Sequence, residues 1–213
     1  ILERVQNDYV EEVDPHKLFP MIRHTEADGG RFFGSGVHMI SGRFCEGKSQ
    51  LSFYRMSFRG RDCASINMIP GGHGDQIAWR FKNEKIPCTV NICPPPMVEL
   101  MATGSLNTVV FPPFLDELGI AGALQGSPVR IVKAKTVDAY AMADSEWVIE
   151  GYIVPYERVW ETEEAEKMGA QGKAFFHQGL DYRYGPRGIG VQRNADNDSN
   201  YYREWISVAG VFG

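Results

Sequence analysis

No stretch of this 213-residue chain comes near the ~20 consecutive apolar residues that a membrane-spanning helix needs. Its acidic opening, ILERVQNDYVEEV, lacks the positive and then apolar order of a secretory signal. The chain therefore reads as soluble and cytosolic. It also lacks a basic block: 22 Lys and Arg stand against 27 Asp and Glu, a formal net charge of −5, whereas phosphate backbones are held by clustered cations. Nucleic acid and acidic membrane are thereby excluded as natural partners, and a small molecule is favoured. Cysteine is scarce. Cys45, Cys63, Cys88 and Cys93 sit at spacings of 18, 25 and 5, which fit neither paired CxxC zinc units nor a small disulfide scaffold. They read as free, buried thiols that behave as small hydrophobes. No internal repeat or low-complexity block is present.

What the sequence does have is a core. With 43% apolar and 12% aromatic residues it can bury one large domain. The apolar residues Ile1, Val5, Tyr9 and Val13 are four apart and predict a short amphipathic helix that Asp14-Pro15 ends. Ile1 in place of a methionine reads as a fragment or a trimmed chain. A turn at Asp28-Gly29-Gly30 lies between aromatic and β-branched stretches, as in a hairpin. QLSFYRMSF predicts one strand with Leu51, Phe53, Arg55 and Ser57 on one face, and CASINMI predicts its antiparallel partner. PGGHGDQIAWRF turns into a helix, IPCTVNIC is a strand, PPPMVELMATG a helix, and Leu115 to Gly126 a third helix. PVRIVKAKTVDAY and EWVIEGYIVP are further strands. ERVWETEEAEKMGAQGK reads as a charged loop or exposed helix, and YYREWISVAGVF as a last strand. The sum is an α+β domain, mostly antiparallel sheet round a barrel or sandwich with short peripheral helices.

The chemistry concentrates between Ser49 and Gly74, where Arg55 stands in an apolar, aromatic strand and His73 follows it by eighteen residues in a glycine-rich turn. Arg55 has two readings, a core arginine paired for architecture and a carboxylate clamp, because guanidinium forks bind carboxylates through two parallel bonds. His73 is either a turn residue that caps the following helix or a metal or phosphate ligand at a helix N-terminus. Glu117 reads as an early-helix carboxylate favoured by the helix dipole. Glu161 and Glu166, inside WETEEAEK, read on their own as part of a solvated acidic run.

The succession DGGRFFGSG, QLSFYRM, GGHG, PPFLDELGIAGALQGSPVRIVKAKTVD and WVIEGYIVPYE resembles the UbiD family of reversible decarboxylases, which use prenylated flavin mononucleotide; the likeness runs from about Lys17 to Glu166. The resemblance implies a split β-barrel related to flavin reductases. It divides the chain into an N-terminal segment at 1–16, a cofactor-binding domain at 17–177 and an unassigned tail at 178–213 that holds the last strand. Family members are longer, so the chain is expected to be their central domain.

By the same resemblance, a strand pattern N-x-x-x-x-R places Arg55 at the substrate, with Ser52 and Phe53 beside the cofactor. His73 keeps the family's spacing from Arg55, and Gln50 stands where the family has asparagine, offering the same amide oxygen one methylene further out. Gln50, His73 and Glu117 are the implied ligands of a divalent metal, Mn2+ or Mg2+, on the flavin phosphate. The carbonyls at Leu106, Asn107 and Val109 match a K+ site, and Val109 also falls in the cofactor-binding set. Counting eleven and sixteen residues on from Glu150 in IEGYI reaches Glu161 and Glu166, the implied partners of Arg55 in catalysis. The expected activity is (de)carboxylation of an aromatic or α,β-unsaturated acid, with CO2 as co-substrate or product, a flavin prenyltransferase as cofactor supplier, and a homo-oligomeric or larger assembly. Two rivals stand beside it: a non-catalytic barrel subunit of a carboxylase complex, and an ordinary FMN-dependent oxidoreductase.

Overall fold

In the computed structural model, residues 19, 21–23, 30–59, 63–68, 72–104, 112, 114–155, 162, 163 and 167 are described in full, and residues 2–4, 156–160, 176–177, 180–181 and 202–212 through their strand pairing alone. The strands are β1 (Leu2–Arg4), β2 (Gly36–Gly42), β3 (Lys48–Phe53), β4 (Met56–Phe58), β5 (Cys63–Ile66), β6 (Ile86–Ile92), β7 (Val129–Lys133), β8 (Tyr140–Met142), β9 (Trp147–Trp160), β10 (Phe176–His177), β11 (Leu180–Asp181) and β12 (Tyr202–Phe212). Among the described residues the α-helices are α1 (His73–Arg80), α2 (Pro96–Gly104) and α3 (Glu117–Gln125). The fold is mixed α and β, with mostly antiparallel sheets and few helices among the described residues. Its main sheet has seven strands in the order β3-β2-β6-β9-β12-β5-β4. A smaller sheet, β1-β7-β8, and the β10-β11 pair accompany it.

Alternation along β2 sorts the interior into two layers, because successive side chains point to opposite faces. Val37 and Met39 join Leu51 of β3 in a cluster with Val98 and Met101 of α2, Leu118 and Ala121 of α3, Val129 and Ile131 of β7, and Met142 of β8. Ile40 lies in the other cluster with Tyr54, Met56, Ile66, Ile77 of α1, Val90 and Ile153. Asn91 and Thr89 link β6 to β8 by polar contacts: Asn91 Oδ1 accepts from Met142 N at 2.9 Å, and Thr89 Oγ1 donates to the Tyr140 carbonyl at 2.9 Å.

Four expectations need correction. Residues 2–4 are a strand that pairs in parallel with Val129–Ile131, so at least there the four-residue spacing does not mark a helix. QLSFYRMSF is two strands at opposite ends of the sheet order, joined only by Tyr54 and Arg55. The reason is long-range pairing: Phe33 and Met56 exchange backbone bonds at 2.7 and 2.8 Å, and Asn67 N donates to the Arg55 carbonyl at 3.1 Å. The run ERVW continues β9, which β12 pairs along its length. Cys45 and Cys88 are buried, as expected, with burial pushing both thiols up to about 12, but Cys63 is half-buried and Cys93 exposed. The turn expected at 28–30 lies outside the described residues except for Gly30.

Candidate functional site

The site is built round the free edge of β3. Among the described residues this strand pairs with β2 on one side only, so Leu51 presents an N–H outward that a neighbour must satisfy. Glu117, at the first turn of α3, does so: its Oε2 accepts from Leu51 N at 2.5 Å. Helix α3 begins there for local reasons. Asp116 at the N-cap accepts from Gly119 N at 3.2 Å, and Gly126 ends the helix in the left-handed region, φ 74°.

The second oxygen of the same carboxylate, Oε1, lies 3.2 Å from His73 Nδ1, with both side chains 1% exposed. Donation from Nδ1–H to this carboxylate selects the tautomer whose Nε2 carries the free lone pair. That Nε2 is buried and has no partner among the described residues. Burial pushes the Glu117 carboxyl above its ordinary range, against the opposing pull of the hydrogen bonds from His73 and Leu51.

Gln50 and Ser52 occupy the face of β3 opposite Leu51 and Phe53. The Gln50 amide nitrogen spends both its hydrogens, one on the Leu51 carbonyl at 2.6 Å and one on Ser52 Oγ at 2.7 Å. Its Oε1 is left buried without a partner among the described residues. Gln50 Oε1 and His73 Nε2 are thus buried without a hydrogen-bond partner among the described residues, and the Glu117 carboxylate meets the same imidazole from its Nδ1 side. Unmade hydrogen bonds of this kind are costly in a core and ordinary at a site that a ligand completes. An amide oxygen, an imidazole nitrogen and a carboxylate are donor types suited to a divalent cation, and 3.2 Å between His73 Nδ1 and Glu117 Oε1 is a separation at which both atoms can ligate one ion in place of the Nδ1 proton. Among the described residues there is no group of three or more His, Cys, Asp and Glu that would hold a metal without the amide.

Of the expected residues, the fold gathers Gln50, Ser52, His73 and Glu117. Phe53 packs into the apolar cluster of Leu51 and Met39 on the other face. Arg55 is half-buried at the junction between β3 and β4, its guanidinium carbon 5.4 Å from the Phe32 ring centroid. Val109, Glu161 and Glu166 lie outside the described residues, as do Leu106 and Asn107. Glu150, the counting point for the acidic pair, is 4% exposed and accepts from Lys135 N at 2.8 Å, Thr136 N at 2.6 Å and Thr136 Oγ1 at 2.6 Å, so it anchors the loop after β7.

Two polar residues of the site escaped the sequence reading. Tyr54 is buried with its hydroxyl hydrogen-bonded to the Ser52 side chain and to Gly74 N–H, and burial pushes its phenol up. His38, across from Ser52 in the β2–β3 register, is 1% exposed. Its Nδ1 lies 3.2 Å from the Gly36 carbonyl, its ring centroid is 5.0 Å from that of Tyr54, and its Nε2 has no partner among the described residues. Their one sequence signal is a polar atom in an otherwise apolar strand.

Residues 2–176 match the family model described as UbiD, 3-octaprenyl-4-hydroxybenzoate carboxy-lyase Rift-related domain. The chain is 34% identical over 154 residues to gallate decarboxylase of Lactiplantibacillus plantarum, which covers 71% of this chain and 31% of that protein. It is 30% identical to phenolic acid decarboxylase of Bacillus subtilis, covering 73% of this chain and 33% of that one. The chain therefore spans about a third of the length of these relatives. The fold matches the UbiD-class enzyme HmfF from Pelotomaculum thermopropionicum, solved in complex with prFMN, with a TM-score of 0.71 and 22% identity over 100% of this chain and 44% of that one. It also matches 3,4-dihydroxybenzoic acid decarboxylase (AroY) of Klebsiella pneumoniae, with a TM-score of 0.67 and 26% identity over 93% of this chain and 37% of that one. With the family model covering most of its length, this chain belongs to the UbiD family of carboxy-lyases.

Proposed function

We propose that this chain is the cofactor-binding domain of a prenylated-FMN-dependent decarboxylase or carboxylase acting on an aromatic or α,β-unsaturated carboxylic acid in the cytosol. The observation that carries the reading is the buried meeting of His73 Nδ1 and Glu117 Oε1 at 3.2 Å, with Gln50 Oε1 buried and without a partner among the described residues, in a chain whose relatives include decarboxylases. Gln50, His73 and Glu117 would hold Mn2+ or Mg2+ against the flavin phosphate, where a cation makes the proximity of the phosphate and a buried carboxylate tolerable. Carbonyls at 106, 107 and 109 would take K+. A split barrel is supported by the junction at Tyr54 and Arg55, which joins strands from the two ends of the sheet order.

When bound, the prenylated flavin supplies the electron sink that cleavage of a carbon–carboxylate bond needs. The remaining work falls to side chains. Arg55 pairs with the substrate carboxylate and orients it, so that a chance encounter becomes a positioned one. Glu161 holds Arg55. As CO2 leaves, Glu166 delivers a proton to the carbon that kept the electron pair; carboxylation runs the same exchange backwards. A flavin prenyltransferase supplies the cofactor, and the working enzyme is a homo-oligomer or a larger chain.

A second reading, a non-catalytic barrel module of a carboxylase complex, is favoured by the third of the relatives' length that the chain spans. Purification from cells that also make a flavin prenyltransferase separates the two. Prenylated FMN identified by absorbance and mass supports the enzyme, and flavin-free protein overturns it in favour of the module.

A further inference from the structure

Helix α1 carries His73 at its first position, yet its N-cap, Gly72, has no side chain with which to cap it. The first turn of a helix leaves N–H groups without internal partners. One of them, Gly74 N–H, is taken by the Tyr54 hydroxyl, which reaches over from the end of β3. The fit is close: a Cβ on Gly74 would lie 1.9 Å from the Tyr54 hydroxyl oxygen and 2.9 Å from Cζ. At its other end α1 is tied to the β2–β3 hairpin by exposed ion pairs, Arg80 to Glu46 at 2.9 Å and Arg43 to Glu84 at 2.5 Å. The tyrosine fastens the end that bears the histidine directly to the strand that bears the glutamine, beside the indirect link through Glu117.

The polar contacts close on themselves. Gln50 Nε2 donates to Ser52 Oγ, the Ser52 side chain is hydrogen-bonded to the Tyr54 hydroxyl, and Tyr54 accepts from Gly74 N–H beside His73. His73 Nδ1 meets Glu117, and Glu117 accepts from Leu51 N, next to Gln50. We propose that Tyr54 is a positioning residue that, through this ring, sets the Gln50 amide and the His73 imidazole relative to each other and so fixes the geometry of the cation site. The inference rests on the reading of Gln50, His73 and Glu117 as ligands. It explains why a phenol is desolvated in an apolar cluster: its ring fills the core and its oxygen joins two elements that share no backbone pairing. It also assigns Ser52 to orienting Gln50, so that the longer side chain presents its oxygen in one direction.

The experiment is a Mn2+ titration in the presence of FMN, with free Mn2+ followed by electron paramagnetic resonance and thermal midpoints measured in parallel, on the unmodified protein and on His73→Ala, Tyr54→Phe and Ser52→Ala. The expected result is loss of binding in His73→Ala, and binding roughly tenfold weaker in Tyr54→Phe and Ser52→Ala, the usual cost of losing a partner that orients a ligand. The spectrum of the bound ion should change in both weakened variants, a readout that packing alone does not move. If His73→Ala binds Mn2+ as the unmodified protein does, the ligand reading itself fails and the proposal with it. If His73→Ala loses binding while Tyr54→Phe and Ser52→Ala stay within about twofold with an unchanged spectrum, the ligand reading stands and the role of Tyr54 is overturned. Should Tyr54→Phe not fold, Ser52→Ala, which breaks the ring from the other side, decides by the same criterion.

Discussion

Glu117 and His73 lie 44 residues apart in sequence and meet at 3.2 Å inside the protein, each 1% exposed, with the carboxylate also holding the edge of β3 through Leu51 N. One side chain thus serves a sheet edge and a histidine. Glu117→Ala strips both partners in a dry environment and is expected to cost about 2–4 kcal/mol of stability at neutral pH. Glu117→Gln keeps one acceptor oxygen and should cost about 1 kcal/mol. Urea unfolding of the three proteins checks the order.

Gly74 tolerates no side chain, because the Tyr54 hydroxyl occupies the space. Gly74→Ala is expected to destabilise the protein by about 1–3 kcal/mol through overpacking. Gly34→Ala, where a Cβ meets nothing within 4 Å, should change stability by less than about 0.5 kcal/mol. Thermal denaturation of the pair separates a packing constraint from a general cost of replacing glycine.

Glu150 satisfies two backbone N–H groups and one hydroxyl in the loop after β7. Glu150→Ala should therefore lose about 2–4 kcal/mol and raise hydrogen exchange at Lys135 and Thr136. Unchanged protection at those two amides would contradict the anchoring role.

Burial lowers His38 from 6.5 to about 4, against the opposing pull of the Gly36 and Ser52 carbonyls. The folded protein keeps this imidazole neutral, and the unfolded chain binds the extra proton between those values. Stability from His38 is therefore full above pH 6.5 and falls by about 3 kcal/mol as the pH drops to 4. Glu117 acts the other way. Its raised pKa makes the folded state the stronger proton binder above the ordinary carboxylate value, so its contribution weakens as pH rises there. The test is the difference between the unmodified protein and His38→Asn in urea midpoints from pH 7 to pH 4. The unmodified protein should lose more stability, and parallel curves would contradict the assignment.

The helices were legible because their signals are local. Proline and glycine bracket α2 and α3, and the glycine-rich turn before His73 marks α1. The break between β3 and β4 was not. Its apolar alternation runs on through Tyr54 and Arg55, and the chain divides only because Phe33 and Asn67, distant in sequence, pair with Met56 and Arg55. The start of the chain misled for a related reason, since the strand at Leu2–Arg4 exists through its pairing with β7. At the site, the resemblance to the UbiD family pointed to Gln50, His73 and Glu117, whereas residue types alone singled out only His73 as a possible ligand and left Glu117 as an early-helix carboxylate. The orienting work of Tyr54 and Ser52 was hidden, because an aromatic and a serine in a strand read as core and edge until the helix that meets them is placed.

The central claim is tested most directly by turnover. Protein loaded with prenylated FMN is offered a panel of aromatic and α,β-unsaturated acids, and product formation and CO2 release are followed for the unmodified enzyme, Arg55→Ala and Glu166→Gln. The account predicts decarboxylation of at least one acid, reduced about 100-fold or more in both variants. Full activity in either variant, or no turnover of any acid by the loaded, unmodified enzyme, would contradict it.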